Sequence, residues 1–263
     1  METKRRRIED EIERRKMKRV RDDDEFKVIE GVIDPPTVKS LYKLLSRNTF
    51  TAVHGVVSAG KEANVYRAET SDGKSLAVKI FRVSTAETDF MREYITGDPR
   101  FKRVGKRSRA LVPQWALKEY KNLKRYHEAG VRVPEPLDIE RNVLVMEWIG
   151  DDNGVAAPLL RNVKIASPAD TYNQIIRMIE LGYTKADLVH ADLSEYNILW
   201  NDGPVIIDVS QAVLKGHDNA AKYLYRDIQN LTFYFNKLGV ETVDPQVITR
   251  YILSKGDKSN DAS

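Results

Sequence analysis

The sequence predicts an α+β fold with two lobes, in which a small lobe with a five-stranded antiparallel sheet and one helix precedes a mainly helical lobe. Three observations lead to this expectation. Short β-patterned runs follow one another in the first half of the chain, Asp72-Gly73 is typical of a tight turn between strands, and helical periodicity prevails after residue 150. With 263 residues, of which 41% are hydrophobic, the chain is long enough to bury a core in both lobes.

A helix is expected first, before the strands of the small lobe. Asp34 is a typical N-cap, and Pro35 and Pro36 suit the first helical turn, where a backbone N–H has no intrahelical partner. An apolar stripe at helical spacing follows, formed by Val38, Leu41, Leu44 and Leu45. The strands of the sheet are then expected at 52–57, 64–70, 75–81, 135–139 and 143–148.

The remaining chain is expected to be helical apart from two segments. Segment 82–112 lacks periodicity and is expected to be a long loop, which in a compact domain is usually functional or disordered. A helix should begin at Pro113 and end near Gly130. Further helices are expected at 168–183, 217–238 and 244–254, with short β-like stretches within 187–210. The predicted divisions are a basic helical N-terminal extension (1–48), a first lobe (49–148), a second lobe (149–254) and a flexible tail (255–263).

The composition excludes several classes of protein. The chain has no cysteine, which excludes disulfides, thiolate metal sites and cysteine nucleophiles. It contains no run of 18 apolar residues, so no membrane span is expected, and its charged start lacks the apolar region of a secretory signal. A cytoplasmic location is therefore expected.

The net charge of +4 is unevenly distributed, because residues 1–21 hold ten Lys or Arg against five acidic residues. A segment of this kind can lie along the phosphates of RNA, or it can form a solvated, partly helical tail. The sequence leaves both interpretations open.

The strongest chemical signal is the run from His190 to Asn197, followed by Asp208 at the end of an apolar strand. In phosphoryl transfer, an Asp accepts or orients the attacking hydroxyl, an Asn five residues later can bind magnesium, and a second Asp links the metal ion to the phosphates. Carboxylate and amide oxygens suit a hard cation such as Mg²⁺. The spacing therefore predicts Asp192 and Asp208 as catalytic residues and Asn197 and Asp208 as metal ligands, rather than ordinary turn residues.

A second signal is Lys79, in the middle of the apolar run 76–80. A lysine in a buried strand is costly unless its ammonium group is paired. Phosphoryl transfer needs a lysine on the α- and β-phosphates, held by a helix glutamate. Glu119, in the helix that follows, is the expected partner.

Residues 55–62 nearly match a Walker A loop. That loop requires Ser or Thr after its Lys and a helix directly afterwards. Here Glu62 follows Lys61, and the next residues have the pattern of a strand. A strand–turn–strand loop that covers phosphates fits better, with Ser58, Gly60 and Lys61 as contacts. The G-x-G-x-x-G pattern of protein kinases is absent, so this signal is weak by itself.

The apolar run 144–149 has the character of a hinge that holds an adenine ring between two lobes. Met146 is the candidate for the residue that limits the depth of the pocket, and the backbone groups of Glu147 and Ile149 are expected to bind the base. The same run also fits the end of an ordinary core strand, and the sequence does not separate the two.

Together these motifs resemble the RIO family of atypical protein kinases, in particular its Rio1 branch, from about residue 50 to residue 235. The most specific pieces are Ser58-Ala-Gly-Lys-Glu-Ala-Asn-Val-Tyr66, the run from His190 to Asn197, and Ile207-Asp-Val-Ser-Gln211. The resemblance implies a bilobal protein-kinase-like fold, autophosphorylation on serine by ATP with Mg²⁺ (Mn²⁺ being an alternative ion), and ATP hydrolysis. It also implies work in maturing the small ribosomal subunit, so that pre-ribosomal particles and their rRNA are expected partners.

Two departures from ordinary protein kinases stand out. Ala191 replaces the Arg of H-R-D, and no Ala-Pro-Glu segment follows Asp208, so the subdomains that hold peptide substrates are expected to be missing. Two other functions stay open: a small-molecule kinase, and a nucleotide-sensing RNA- or ribosome-binding module with vestigial catalysis. An autophosphorylation site is expected within 82–112, where the hydroxyl candidates are Ser84, Thr85, Thr88, Tyr94, Thr96 and Ser108.

Overall fold

The computed structural model describes residues 33–82, 88–96, 98–101 and 108–258. The strands of the first lobe are β1 (Ala52–Ala59), β2 (Ala63–Glu69), β3 (Ser75–Phe81), β4 (Pro136–Glu140) and β5 (Val143–Glu147). They form one sheet in the order β1-β2-β3-β5-β4, and every neighbouring pair is antiparallel. The five-stranded antiparallel sheet predicted from the sequence is confirmed.

The described helices are α1 (Pro35–Ser46), α2 (Thr88–Ile95), α3 (Ser108–Glu128), α4 (Pro168–Thr184), α5 (Ala220–Lys237) and α6 (Pro245–Lys258). Helix α1 begins as the sequence predicts, because the side chain of Asp34 accepts hydrogen bonds from the backbone N–H and the hydroxyl of Thr37 at 3.2 and 2.7 Å. No described helix is long and apolar enough to span a bilayer.

Both faces of the sheet are covered, which explains why β3 is almost entirely apolar. Successive side chains of a strand point to opposite faces. On one face, Val78 packs in a cluster with Leu41 and Leu44 of α1. On the other, Ala77 belongs to the larger core, which includes Trp115 of α3. Lys79 is an odd-numbered position like Ala77, so its side chain emerges on the α3 side of the sheet.

The second lobe consists of α4, α5 and α6 with four short strands: β6 (Leu188–Val189), β7 (Ile198–Trp200), β8 (Pro204–Ile206) and β9 (Val213–Leu214). Strand β6 pairs with β9, and β7 pairs with β8, both antiparallel. A single 3₁₀ turn, Val209–Gln211, lies between β8 and β9. His190 directly follows β6, Asn197 directly precedes β7, and Asp208 lies two residues after β8.

The expectation of a long loop at 82–112 is wrong where the structure describes this segment. This segment contains helix α2, and α3 begins at Ser108, five residues before the expected start at Pro113. Helix α2 was not predicted because eight residues are too few for a clear periodic signal, and tertiary packing supplies its stability. Its Tyr94 is buried against the rings of Trp115 and Tyr223, with ring centroids 6.5 and 5.9 Å apart.

The expected flexible tail from residue 255 is also partly wrong, because α6 continues to Lys258. A glycine is unfavourable in the interior of a helix. In the structure Gly256 permits close packing instead, since a Cβ atom there would approach the ring of Tyr183 in α4 to 2.4 Å. Residues 259–263 and the basic segment 1–21 lie outside the described residues.

Candidate active site

Lys79 is the centre of the candidate site. Its ammonium group donates to both carboxylate oxygens of Glu119 in α3, at 2.7 and 2.8 Å, and to Oδ1 of Asp208 at 2.5 Å. The side chains of Lys79 and Glu119 are buried, whereas that of Asp208 is 50% exposed. The three residues come from β3, α3 and the turn after β8, so this contact joins the two lobes.

The charges around Lys79 shift the pKa values of all three groups. Burial alone lowers the pKa of Lys79, but the carboxylates of Asp208 and Glu119 outweigh it and raise the pKa above its ordinary value. The ammonium charge in turn lowers the pKa of Asp208. Burial raises the pKa of Glu119 to about 7 against the opposing effect of Lys79. The Lys79 and Asp208 pair is therefore charged across the physiological range, which leaves a permanent cation in the site.

A cleft of about 270 Å³ opens beside this ion pair. Seven of the residues predicted for the site line it, namely Ser58, Lys79, Glu119, Met146, Glu147, Ile149 and Asp208. Its remaining walls are mainly apolar, as is usual for a small-molecule pocket. Gly60 and Lys61 do not line the cleft; they form the turn between β1 and β2, in which the N–H of Gly60 donates to the carbonyl of Ala63 at 2.9 Å.

Hydrogen bonds within the protein restrict what the hinge can offer a bound base. The N–H of Glu147 donates to the carbonyl of Glu135 at 2.8 Å, and the carbonyl of Ile149 accepts from the N–H of Ala157 at 2.9 Å. The backbone groups that these bonds do not use are the carbonyl of Glu147 and the N–H of Ile149. They are an acceptor and a donor two residues apart, which is the pattern that an adenine edge requires.

Asp192 lies in the loop between β6 and β7 and is exposed. The amide of Asn197 donates to the backbone carbonyl of Asp192 at 2.7 Å and to its Oδ2 atom at 3.3 Å. The carbonyl of Asn197 also accepts the N–H of Ile207 at 3.0 Å, directly before Asp208. Asn197 thus connects the predicted site residues: its side chain contacts Asp192, and its backbone contacts the residue before Asp208.

A buried carboxylate that the sequence analysis missed supports this loop. Asp227 of α5 accepts the backbone N–H groups of Ala191 and Leu193 at 2.8 and 2.9 Å. Arg226 donates to the carbonyl of Ala191, and Asn230 donates to that of Leu193 at 3.2 Å. Burial raises the pKa of Asp227 to about 7, although both N–H bonds oppose this shift. A signal existed in the sequence, because Asp227 interrupts the apolar stripe of a helix.

A second unpredicted pair holds the turn after Asp208. Lys118 of α3 is fully buried, and its ammonium donates to the carbonyls of Ser210 and Ala212 at 2.6 and 2.5 Å. Asn122, one helical turn later, donates to the carbonyls of Val209 and Ala212 at 2.8 and 3.3 Å. Helix α3 therefore holds both Lys79, through Glu119, and the backbone that follows Asp208.

Asn197 and Asp208 fit a magnesium ion by the chemistry of their donor atoms. Because the amide nitrogen of Asn197 is committed to Asp192, its oxygen is directed elsewhere, and the carboxylate of Asp208 is half exposed beside the cleft. Within the described part of the chain, no three His, Cys, Asp or Glu side chains form a metal cluster. Magnesium usually takes one or two protein oxygens together with substrate phosphates, so two ligands are sufficient.

Known proteins are similar to this chain over most of its length. The RIO domain family matches residues 64–248. The RIO-type serine/threonine-protein kinase Rio1 of Haloferax volcanii is 40% identical over 246 residues, which are 92% of this chain and 82% of that protein. RIO1 of Caenorhabditis elegans is 41% identical over 88% of this chain and 46% of its own length, and human RIO1 is 38% identical over 90% and 42%. The chain thus spans less than half the length of these two animal relatives.

Among solved structures, the chain is similar to the Rio2 kinase from Chaetomium thermophilum in an ADP/Mg²⁺-phosphoaspartate complex, with a TM-score of 0.62 and 23% identity. The match covers 85% of this chain and 69% of that one, and it shows a shared fold. The fold is kinase-like, and the relatives named above are serine/threonine-protein kinases. The chain belongs to the RIO family, and the relatives above place it with the Rio1 branch.

Proposed function

We propose that this chain is a serine/threonine protein kinase of the RIO type that uses ATP with Mg²⁺. The observation that carries the proposal is the three-way contact in which the Lys79 ammonium lies 2.7 Å from Glu119 and 2.5 Å from Asp208. A buried cation beside a half-exposed carboxylate suits the phosphates of a nucleotide together with their metal ion.

The nucleotide is bound along the cleft between the lobes. The adenine ring lies near Met146 and is held by the carbonyl of Glu147 and the N–H of Ile149, the two groups that the hinge hydrogen bonds to Glu135 and Ala157 do not use. Lys79 binds the α- and β-phosphates. The backbone of the β1–β2 turn, with Ser58, Gly60 and Lys61, covers the phosphates from above.

Asn197 and Asp208 hold the divalent ion, for which Mg²⁺ is the first choice and Mn²⁺ an alternative. When bound, the ion neutralises the charge that develops on the phosphate oxygens. In this structure Asp208 contacts Lys79. In the proposed complex, Lys79 contacts the α- and β-phosphates directly, whereas Asp208 contacts the triphosphate through the divalent ion. Lys79 thereby keeps Asp208 ionised and ready to bind a cation.

In the proposed transfer, the hydroxyl oxygen of a serine or threonine forms a bond to the γ-phosphorus, and the bond from that phosphorus to the β–γ bridging oxygen breaks. ADP leaves with the bridging oxygen. Asp192 accepts the proton of the attacking hydroxyl, for which its exposed position in the loop after β6 is suitable.

The second lobe supports a restricted choice of acceptors. Between Asp208 and the start of α5 at Ala220, the chain forms only one 3₁₀ turn and the two-residue strand β9, which leaves little chain to bind a peptide. Autophosphorylation and ATP hydrolysis are therefore proposed as the main reactions.

Of the candidate hydroxyls in 82–112, Tyr94 is disfavoured because it is buried, whereas Thr96 is exposed. Phosphosite mapping after incubation with ATP tests this, and modification only outside 82–112 would refute it.

The proposed partners are pre-small-ribosomal particles and their rRNA, on the basis of the resemblance to the Rio1 branch. Removing residues 1–21 is expected to weaken RNA binding and to reduce its dependence on salt, because ten basic residues are lost. If truncation leaves the salt slope unchanged, the segment is a solvated tail instead.

Turnover with radiolabelled ATP and Mg²⁺ tests the assignment, with label followed in both protein and free phosphate. Asp192→Asn and Asp208→Asn should each reduce both products at least about a hundredfold, because positioning and electrostatic stabilisation supply most of the catalysis. Asp218→Asn, at an exposed position, is the matched control and should retain full turnover. Wild-type rates in both folded variants would defeat the proposal.

The small second lobe also favours one other candidate, a small-molecule kinase, since such an enzyme needs no peptide platform either. A panel of sugars, aminoglycosides and choline separates the two. A RIO-type kinase should ignore these compounds and label itself. Labelling of one of them at a rate well above autophosphorylation would support the alternative.

A further inference from the structure

Gln211 ends the 3₁₀ turn after Asp208, and its side chain turns back towards the catalytic loop. Its amide Nε2 donates to Oδ2 of Asp192 at 3.2 Å. We propose that Gln211 is a positioning residue that holds the carboxylate of Asp192 in the orientation needed to accept the proton of the attacking hydroxyl. This inference rests on the proposed role of Asp192 and goes beyond it.

The two oxygens of the Asp192 carboxylate have different surroundings. Oδ2 receives two amide groups, from Asn197 at 3.3 Å and from Gln211 at 3.2 Å. Oδ1 receives no hydrogen bond from the described residues. Two donors on one oxygen fix the rotation of the carboxylate about its Cβ–Cγ bond, which otherwise has a broad, nearly two-fold preference. Oδ1 is therefore left as the atom that meets the substrate hydroxyl.

The two donors belong to different segments of the chain. Asn197 belongs to the same loop as Asp192 and also donates to the Asp192 backbone, so it fixes the loop itself. Gln211 lies 19 residues away and belongs to the turn that carries Asp208. It thus links the carboxylate of Asp192 to the turn beside the proposed metal ligand Asp208, in addition to the backbone bond between Asn197 and Ile207.

Side chains of helix α3 hold the backbone on both sides of Gln211. The carbonyls on either side of it, of Ser210 and Ala212, accept hydrogen bonds from the buried amino group of Lys118, and Asn122 also donates to the carbonyl of Ala212. Lys118 and Asn122 are fully buried, and removal of either would leave unsatisfied carbonyls. Because the backbone of Gln211 is held on both sides, its side chain delivers its amide to Asp192 at a low entropic cost.

Gln211→Leu removes the amide and keeps a similar side-chain volume, and Gln211→Glu keeps the shape but places a second carboxylate beside Asp192. We expect both variants to reduce kcat about tenfold or more, since small misplacement of a reacting group lowers rates strongly. Gln211→Glu should be the slower, because like charges repel. The KM for ATP and the affinity for MgATP, measured by calorimetry with the metal and nucleotide, should change less than twofold.

The matched control is Gln229→Leu, an exposed amide on α5 that donates to the hydroxyl of Tyr225 at 3.1 Å. It should leave kcat, KM and Tm unchanged. The decisive measurement is a double-mutant cycle in which Gln211→Leu is added to Asp192→Asn, followed by single-turnover transfer of radiolabel. A residue that acts through Asp192 has little further effect there, so the two losses should be strongly non-additive.

The possible results distinguish the role of Asp192 from that of Gln211. If Asp192→Asn keeps wild-type turnover, the proposed role of Asp192 fails and this inference fails with it. If Asp192→Asn is inactive while Gln211→Leu has wild-type kcat, only the inference is overturned. A loss of kcat in Gln211→Leu that is accompanied by an equal loss of nucleotide affinity and a lower Tm, or that adds fully to Asp192→Asn, would show a merely structural residue.

Discussion

Asp227 in α5 accepts the backbone N–H of Ala191 at 2.8 Å, and Ala191 has a φ angle of 66°. The left-handed region is unfavourable for a residue with a side chain, at a cost of about 1–3 kcal/mol. A buried charge-assisted hydrogen bond offsets a cost of this size. The conformation of the loop that carries Asp192 therefore depends on a helix residue far along the chain.

Asp227→Asn tests this dependence. An amide can accept one of the two N–H groups but presents its own NH₂ to the other, so the variant should be less stable by about 1–3 kcal/mol. Because Asp192 moves with the loop, kcat should fall about tenfold to a hundredfold. Urea denaturation and turnover measure the two effects. Asp218→Asn, exposed and without this role, should show neither, and equal behaviour of the two variants would contradict the prediction.

The lowered pKa of Lys118 predicts that the stability of the protein depends on pH above neutrality. Burial lowers its pKa from 10.5 to about 7, and the nearby charge of Arg100 adds to the effect. A neutral amine still offers two N–H donors for the carbonyls of Ser210 and Ala212. Between pH 7 and 10.5 the unfolded state holds the proton and the folded state does not, so the contribution of this group to stability rises with pH.

Lys118→Met should therefore reduce the slope of stability against pH in that window, by at most about 1.4 kcal/mol per pH unit. The free energy of unfolding is measured by urea at several values between pH 7 and 10 for the wild type and the variant. The control is Lys124→Met, an exposed lysine on the same helix, which should leave the slope unchanged. Parallel curves for the wild type and Lys118→Met would argue against the lowered pKa.

Glu119→Gln tests how the orientation of Lys79 affects turnover. The amide keeps one oxygen for the Lys79 ammonium but turns its own NH₂ towards the same group, so the free energy of unfolding should fall by about 1–3 kcal/mol. The ammonium then keeps Asp208 as its charged partner and moves towards it. A loss of kcat of about tenfold is expected. Glu128→Gln, at the exposed end of α3, serves as the control, and unchanged kcat in Glu119→Gln would be the contrary result.

The sequence analysis places helix α1 in an N-terminal extension, residues 1–48. The packing of the helix predicts instead that it is an integral part of the first lobe. Leu44 is fully buried in the cluster with Phe50 and Val78. Leu44→Ala should cost about 2–5 kcal/mol of stability while kcat is retained at temperatures where the protein is folded. Lys39→Ala on the exposed side of α1 should change stability by less than about 0.5 kcal/mol. A cost below about 1 kcal/mol for Leu44→Ala would support the separable extension.

The sequence alone determined the sheet, the two-lobed order and the spacing of Asp192, Asn197 and Asp208. These features depend on neighbours close in the chain: strands follow from alternating side chains, turns from Asp-Gly, and the chemical motif from residue types at short fixed spacing. The partnership of Lys79 with Glu119 was also predictable, because a lysine in an apolar strand requires a charged partner.

Only the tertiary structure decided how these parts are held together. Asp227 reaches Leu193 across 34 residues, and Lys118 reaches Ala212 across 94. The formation of helix α2 and of the last turn of α6 depends in the same way on distant contacts. Tyr94 of α2 packs against the rings of Trp115 and Tyr223, and Gly256 of α6 lies against the ring of Tyr183. The free energy of a buried polar group, or of a short helix, is set by what packs against it, and that information resides in contacts between distant segments rather than in any local pattern.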